Sequence, residues 1–422
     1  MTQSSPPLSG VKVLDFSWAL VGSLTTKMLA DHGAEVVKVE SSLRPCLSRI
    51  DKQVSVSQRG NFNDKPWFSH FNTSKLSLRL NMKHERVRDI LDPLLEWADV
   101  VVENFSPGTM EKLNLDYNTI KKTHPDIIMV SGSVFGQTGP YAKNWGVDGT
   151  GAALSSRMYM TGWADRDPVT PSVPYGDVVL PYYMAAAVTA AVDHKRRTGR
   201  GEYIDASMYE VCSQQMSDAL VATQLAEHKN TSSIKNISKR SGNHSPDILF
   251  QGVFPCQREN KTSTTSVKKR WIGISIENNN NWEKFLTLVP NHNLPNADEL
   301  LKLNEKQLDD LEKTIAEWTA TKTDYPFMEL LQNNGIAAGI VQDIEDTFEY
   351  DPQLKHRDYL ADLEHPYIGK FGHQTPPFTL SRTPSQVKLA PNLGQHTESI
   401  CKNIIGLTDE QYEKMSDDEL FI

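Results

Sequence analysis

Apolar positions along the first half of the chain switch between strand-like and helix-like spacing. Val11-Lys12-Val13-Leu14-Asp15-Phe16 is a short β-prone run, residues 22–32 carry helical spacing that Gly33 closes, and Glu35-Val36-Val37-Lys38-Val39-Glu40 is a second strand. Leu76-Ser77-Leu78-Arg79-Leu80 alternates like a strand, residues 86–97 form an amphipathic helix, and residues 98–104 and 127–133 are further strands. Strands alternating with helices predict a parallel sheet covered by helices, continuing to roughly residue 215.

The pattern changes beyond that point. Residues 224–246 are rich in Lys, Asn and Ser and are expected to connect two domains. Residues 248–253 and 270–276 are predicted antiparallel strands, and helices are expected over 307–318 and 325–333. Residues 335–341 are expected to begin a return to the first domain, and the tail Leu389-Ala390-Pro391-Asn392-Leu393-Gly394 leads into a last helix. The division is a large α/β domain over 1–224, a smaller α+β domain with linkers over 225–330, and completion of the large domain over 331–422.

The stretch from 174 to 209 is the one the rest is organised around. It opens on Tyr175-Gly176-Asp177, continues as an alanine-rich run to Val192, and passes Lys195-Arg196-Arg197 before Gly199 and Gly201. A helix apolar on all sides is expected to be buried, and basic residues suit its C-terminal dipole. Gly199 or Gly201 can take the positive φ that ends it. Asp177 then sits at or beside the helix N-terminus, either as a plain N-cap or as a reactive carboxylate, and Gly176 would let another molecule come close.

Composition narrows the function classes. A net charge of −9 speaks against a general nucleic-acid binder, and no apolar run is long enough to span a membrane. Residues 1–10 lack the pattern of a signal peptide, so a cytoplasmic protein is expected. Cys46, Cys212, Cys256 and Cys401 have no metal-ligand spacing and fit reduced thiols, so no metal site is expected. Glu40 at the end of the second strand invites a dinucleotide reading, but Ser17-Trp18-Ala19-Leu20-Val21-Gly22 contains no Gly-x-Gly-x-x-Gly, which speaks against NAD.

Seven segments stand in a recognisable order: GVKVLDFSWALVGSLTTKMLADHGAEVVKVE, NTSKLSLRLNMK, VVENFSPGTMEKL, GQTGP, YGD, RTGRGEYIDASMYE and APNLGQHT. Together they resemble the class III CoA-transferases, the group that includes formyl-CoA and carnitine CoA-transferases. The resemblance covers nearly the whole chain and is weakest from about 225 to 325. Two tracts, DKQVSVSQRGNFNDKPWFSHFNTSK and WGVDGTGAALSSRMYMTGWADRDPV, are most similar to the arylsuccinate branch, the benzylsuccinate CoA-transferases of anaerobic aromatic-hydrocarbon breakdown. The resemblance implies a large Rossmann-like α/β domain built from both chain ends, a small middle domain, and ring-like subunits interlocked as a homo- or heterodimer with a homologous chain.

By the same resemblance, Asp177 matches the family's nucleophile, which carries acyl groups and CoA as an anhydride and then a thioester. Backbone N–H groups at the glycine corner are expected to serve the oxyanions. CoA binding is implied for Ala19, Val21, Phe71, Asn72, Lys75, Asn104 and Phe105, and for Arg44 in place of the arginine that Ser41 replaces. Trp18 and Leu20 are expected in the acyl pocket, and Gln137 near the reacting carboxylates. No permanent cofactor is implied; the CoA thioester is a substrate. Three alternatives stay open: a CoA-transferase for another aromatic or dicarboxylic acid, an α-methylacyl-CoA racemase, and the structural subunit of a two-chain transferase. Racemases of this fold carry a histidine where Val147 stands, and Val147 carries no proton; a scaffold subunit would be free to lose Asp177.

Overall fold

β-branched and apolar runs at six places build one parallel sheet in the computed structural model, which describes residues 5–50, 61–170, 173–229, 240–245, 248–258, 269–290 and 293–422. The strands are β1 (Lys12–Asp15), β2 (Glu35–Glu40), β3 (Leu76–Arg79), β4 (Val100–Glu103), β5 (Ile128–Ser133) and β6 (Tyr203–Ser207), in the order β3-β2-β1-β4-β5-β6. All neighbours are parallel. That order reverses between β1 and β4, the topological switch point where α/β sheets open a crevice.

Strands covered on both faces must be apolar on both, and these are. Val101 and Met129 enter one core, with Leu78, Leu80 and the helix α3 residues Ile90, Leu91 and Leu94 (α3 is Arg88–Trp97). Val100, Val102, Ile128 and Val130 enter the other, with helix α1 (Val21–Asp31) and the Tyr175–Thr198 helix. The C-terminal tail completes the first core through Ile400, Cys401, Met415, Leu420 and Phe421. It is held to β3 by backbone bonds from His396 N to Ser77 O and from Asn81 N to Leu420 O, each near 3 Å.

The chain divides into two compact units. The first comprises Met1–Arg157, Thr170–Met216 and Gln353–Ile422; the second comprises Met158–Val169 and Ser217–Pro352. In the second, β7 (Phe250–Gln257), β8 (Lys269–Ile276) and β9 (Ala337–Ile340) form an antiparallel sheet. Its core is aromatic, with Trp282, Phe285, Trp318 and Phe327 in successive ring contacts. Asn278, Asn296 and Asn304 each cap a helix through their side chains. Residues 335–341 were expected to start the return to the first unit. They instead supply β9, because Ala337–Ile340 pairs along β8, and the return comes at Gln353. Part of the 224–246 connection, residues 230–239, and residues 51–60 of the first arylsuccinate-like tract lie outside the described residues.

The Tyr175–Thr198 helix departs from expectation in its burial. Leu180, Met184, Val188, Ala191 and Val192 face the sheet, but Tyr182 and Tyr183 are 46% and 44% exposed. The helix ends at Gly199, whose φ of 71° is the left-handed cap conformation. Back in the first unit, β10 (Leu360–His365) and β11 (Gly369–Gln374) form a hairpin. It docks on helix α2 (Pro66–Phe71) through a 3.1 Å hydrogen bond between Ser69 Oγ and His373 Nε2 and one of 3.0 Å between His70 Nε2 and Gln374 Oε1. No helix among the described residues is long and apolar enough to cross a membrane, and the four cysteines are free and buried.

Candidate active site

The turn from β1 into α1 is fixed from across the switch point. Asn104, just past β4, accepts from Trp18 N at 2.7 Å and donates to Trp18 O at 2.8 Å, so one side-chain amide closes both backbone groups of a single residue. Ala19 follows at φ 62°, a left-handed conformation uncommon outside glycine. Trp18 Nε1 donates to Pro45 O at 3.0 Å, and the exposed Arg44 guanidinium lies 5.1 Å over the Trp18 ring. Leu20 stands at the N-cap of α1 with no side-chain oxygen to offer, leaving the first amides of the helix to other acceptors. Trp18, Ala19, Leu20, Val21, Arg44 and Asn104 therefore come together. Phe105 follows, its N–H donating to Glu103 Oε2 at 2.7 Å, and Phe71 packs edge-on to Trp67 and His70.

Two of the expected CoA contacts do not suit that role. The Lys75 ammonium is fully buried and donates to Asp15 Oδ2 at 3.2 Å, Ser23 O at 2.8 Å and Asn72 Oδ1 at 2.8 Å. Those three partners use its three protons. Asn72 is equally buried, gives one of its two amide protons to Phe68 O and takes Lys75 on its oxygen, so Lys75 has no donor left for a phosphate and the Asn72 side chain has no exposed surface to meet one. Lys38 shares the same carboxylate, 3.8 Å from Asp15 Oδ2. Burial works against the Asp15 anion, but Lys38 and Lys75 outweigh it and hold its pKa below the ordinary value. Burial brings Lys75 down to about 8. Glu40 likewise holds no ribose: it is paired with Arg49 through two 2.9 Å contacts. Ser41 Oγ donates to Ile422 O.

Asp177 lies in the first turn of the Tyr175–Thr198 helix. That helix leads into β6, so it runs antiparallel to the strands and its N-terminus lies at their C-terminal edge, the same edge as the β1 and β4 turns. The helix start is held by a residue that the sequence reasoning passed over. Asp148, 7% exposed, accepts from both Gly176 N and Asp177 N (3.3 Å) through Oδ1. It follows Val147, the position where racemases of this fold carry a histidine. Its carboxylate takes up the two amides expected to serve the oxyanion. A Cβ on Gly176 would lie 2.7 Å from Met208 Cγ and 2.8 Å from Asp148 Oδ1, so this glycine makes room for the protein's own chain rather than for a ligand.

Gln137 belongs to a different group. Its N–H donates to Asp205 (2.9 and 3.0 Å), and its side chain joins Glu103, Ser131 and Tyr203 in a small pocket against the core that contains Met110 and Met129, across the sheet from the Tyr175–Thr198 helix. Burial pushes the Glu103 carboxyl there up to about 7. Around Asp148 and Asp177 the chain exposes large apolar groups instead: Trp145 (99%), Val147 (71%) and Tyr175 (39%).

A family model described as CoA-transferase family III matches residues 8–397. The chain is 30% identical over 418 residues to the succinyl-CoA:glutarate CoA-transferase of Mus musculus, covering 98% of this chain and 89% of that relative. It is 28% identical over 420 residues to the succinyl-CoA–L-malate CoA-transferase beta subunit of Chloroflexus aurantiacus, covering 97% of each. Among solved structures, a CAIB/BAIF family protein from Brucella suis matches with a TM-score of 0.78 at 25% identity, over 95% of this chain and 100% of that one.

Proposed function

The chain belongs to CoA-transferase family III, and from that premise we propose that it moves CoA from succinyl-CoA to an arylsuccinate such as benzylsuccinate, with Asp177 as the nucleophile. The observation that carries this reading is the placement of Asp177: first turn of a long helix, at the C-terminal edge of the sheet, its own amide held by buried Asp148. Relatives named for succinyl-CoA support the donor. The exposed apolar groups Trp145, Val147 and Tyr175 support an aromatic acceptor.

The steps balance without an external reagent. An Asp177 oxygen attacks the donor thioester carbonyl, the C–S bond breaks, and CoA leaves as thiolate from a mixed anhydride. The thiolate attacks the aspartyl carbonyl, releasing the donor acid as carboxylate and leaving an aspartyl-CoA thioester. The acceptor carboxylate then displaces the thiolate to form a second anhydride, and the returning thiolate takes the acceptor acyl group and frees Asp177. CoA lies along the turn that Asn104 fixes, with Arg44 offering charge to its phosphates. Val147 leaves the site without the proton carrier that a racemase needs. Assembly with a homologous chain as an interlocked pair goes with this reading, and the exposed Tyr182 and Tyr183 supply an apolar surface for it.

Asp177→Ala is expected to lower transfer by at least about 10³-fold while leaving CoA binding largely intact. Hydroxylamine trapping with succinyl-CoA, followed by peptide mapping, is expected to place the acyl group on Asp177. Full activity in the variant would sink the nucleophile assignment, and so would a trapped group on another residue.

A further inference from the structure

A site that brings a substrate carboxylate against its own carboxylates needs a cation to hold it there. Asp148 and Asp177 both act on the buried Cys212 thiol, and the cation that acts on it beside them is Arg157, which also hydrogen-bonds the thiol. The Arg157 guanidinium lies 3.9 Å over the ring of Tyr175, the residue that opens the Asp177 helix. Ser156, just before Arg157 and just after the Asp148–Leu154 helix, adopts φ 64°, a left-handed conformation unusual for a non-glycine residue. A guanidinium stacked on a ring keeps its N–H edge in the plane, the geometry that takes a carboxylate in two parallel bonds. Both Arg157 and Tyr175 keep solvent-accessible surface.

Tyr175 and Asp177 belong to the same first helical turn, so the guanidinium over the Tyr175 ring stands beside the turn that carries Asp177. We propose that Arg157 binds the second carboxylate of the acyl group, so that the site selects half-thioesters of dicarboxylic acids over monocarboxylic acyl-CoAs. This rests on Asp177 being the residue that meets the thioester.

The test compares succinyl-CoA with butyryl-CoA, which has the same chain length and no second carboxylate, using the purified protein in its native assembly. Arg157→Gln is expected to lower kcat/KM for succinyl-CoA by about 10- to 100-fold, the loss of one charge-assisted contact. Butyryl-CoA should stay within about threefold of its wild-type value by the same reasoning, and Arg157→Lys should recover part of the loss. An equal loss for both thioesters would assign Arg157 to holding Tyr175 and Cys212 and overturn the proposal, as would no loss for either. Should Arg157→Gln fail to fold, the wild-type protein answers with the methyl ester of the succinyl group, since equal use of ester and free acid also overturns it. Hydroxylamine trapping separates the two assignments: acylation of Asp177 without carboxylate discrimination removes only the role of Arg157, whereas no acylation of Asp177 removes the nucleophile as well.

Discussion

Asp15 is the carboxylate that two buried lysines share, and it also accepts from Thr26 Oγ1 at 2.6 Å and Ser17 N at 2.8 Å. Replacing it with Asn would remove the anion that the Lys38 and Lys75 ammoniums share. Breaking a buried pair in this way costs about 3–5 kcal/mol. Asp15→Asn is therefore expected to lose stability of that order in urea unfolding, with β1 and β2 losing hydrogen-exchange protection first. The sequence did not disclose this cluster. Lys75 in an Asn-Thr-Ser-Lys run looks like a surface cation, because burial is decided by β1, α1 and β3 packing together and not by its neighbours in the chain. Asp148 was hidden for the same reason: its partners, Gly176 and Asp177, lie 28 and 29 residues away. The first-turn position of Asp177 was legible, since the alanine run and Gly199 mark both ends of its helix locally.

Among the elements, the β10–β11 hairpin responds to pH in a direction that can be worked out. His373 is fully buried, and burial, with His70 stacked 6.1 Å away, brings its pKa down to about 4 from 6.5. The unfolded chain therefore binds a proton below pH 6.5 that the folded chain refuses until about pH 4. Stability contributed by the neutral ring is complete above 6.5 and falls as pH drops through that window, by up to about 3 kcal/mol at the lower end. Hydrogen exchange in β10 and β11, corrected for intrinsic rates, is expected to rise between pH 7 and 4.5, and His373→Gln is expected to flatten that rise. Strand and helix positions were mostly legible from local periodicity, as in β2, where the predicted bounds and Glu35–Glu40 coincide. β9 was misread because its small residues carry little pattern of their own; their pairing with β8 sets their place.

At the scale of the molecule, the ordered series of short motifs was enough to identify the family, although each motif alone is weak. The switch-point position of the β1 and β4 turns follows from the strand order, which the sequence suggests only as alternating strands and helices. The acceptor acid is less legible, because residues such as Arg157 and Tyr175, 18 positions apart in the chain, meet only when it is folded. The first unit also draws its last core residues from the far end of the chain. A chain stopped at Pro352 lacks Ile400, Cys401, Met415, Leu420 and Phe421, and is expected to aggregate and to bind an apolar dye strongly.

That late-arriving tail has a consequence for synthesis. At about 5–20 residues per second, a ribosome spends on the order of ten seconds on Ser217–Pro352 before the closing segment begins to emerge. Through that interval the nascent chain carries Leu78, Leu80 and the apolar side of α3 without the tail that will seal them. Co-expression of a holdase is therefore expected to raise the soluble yield of the full chain, measured against expression without it.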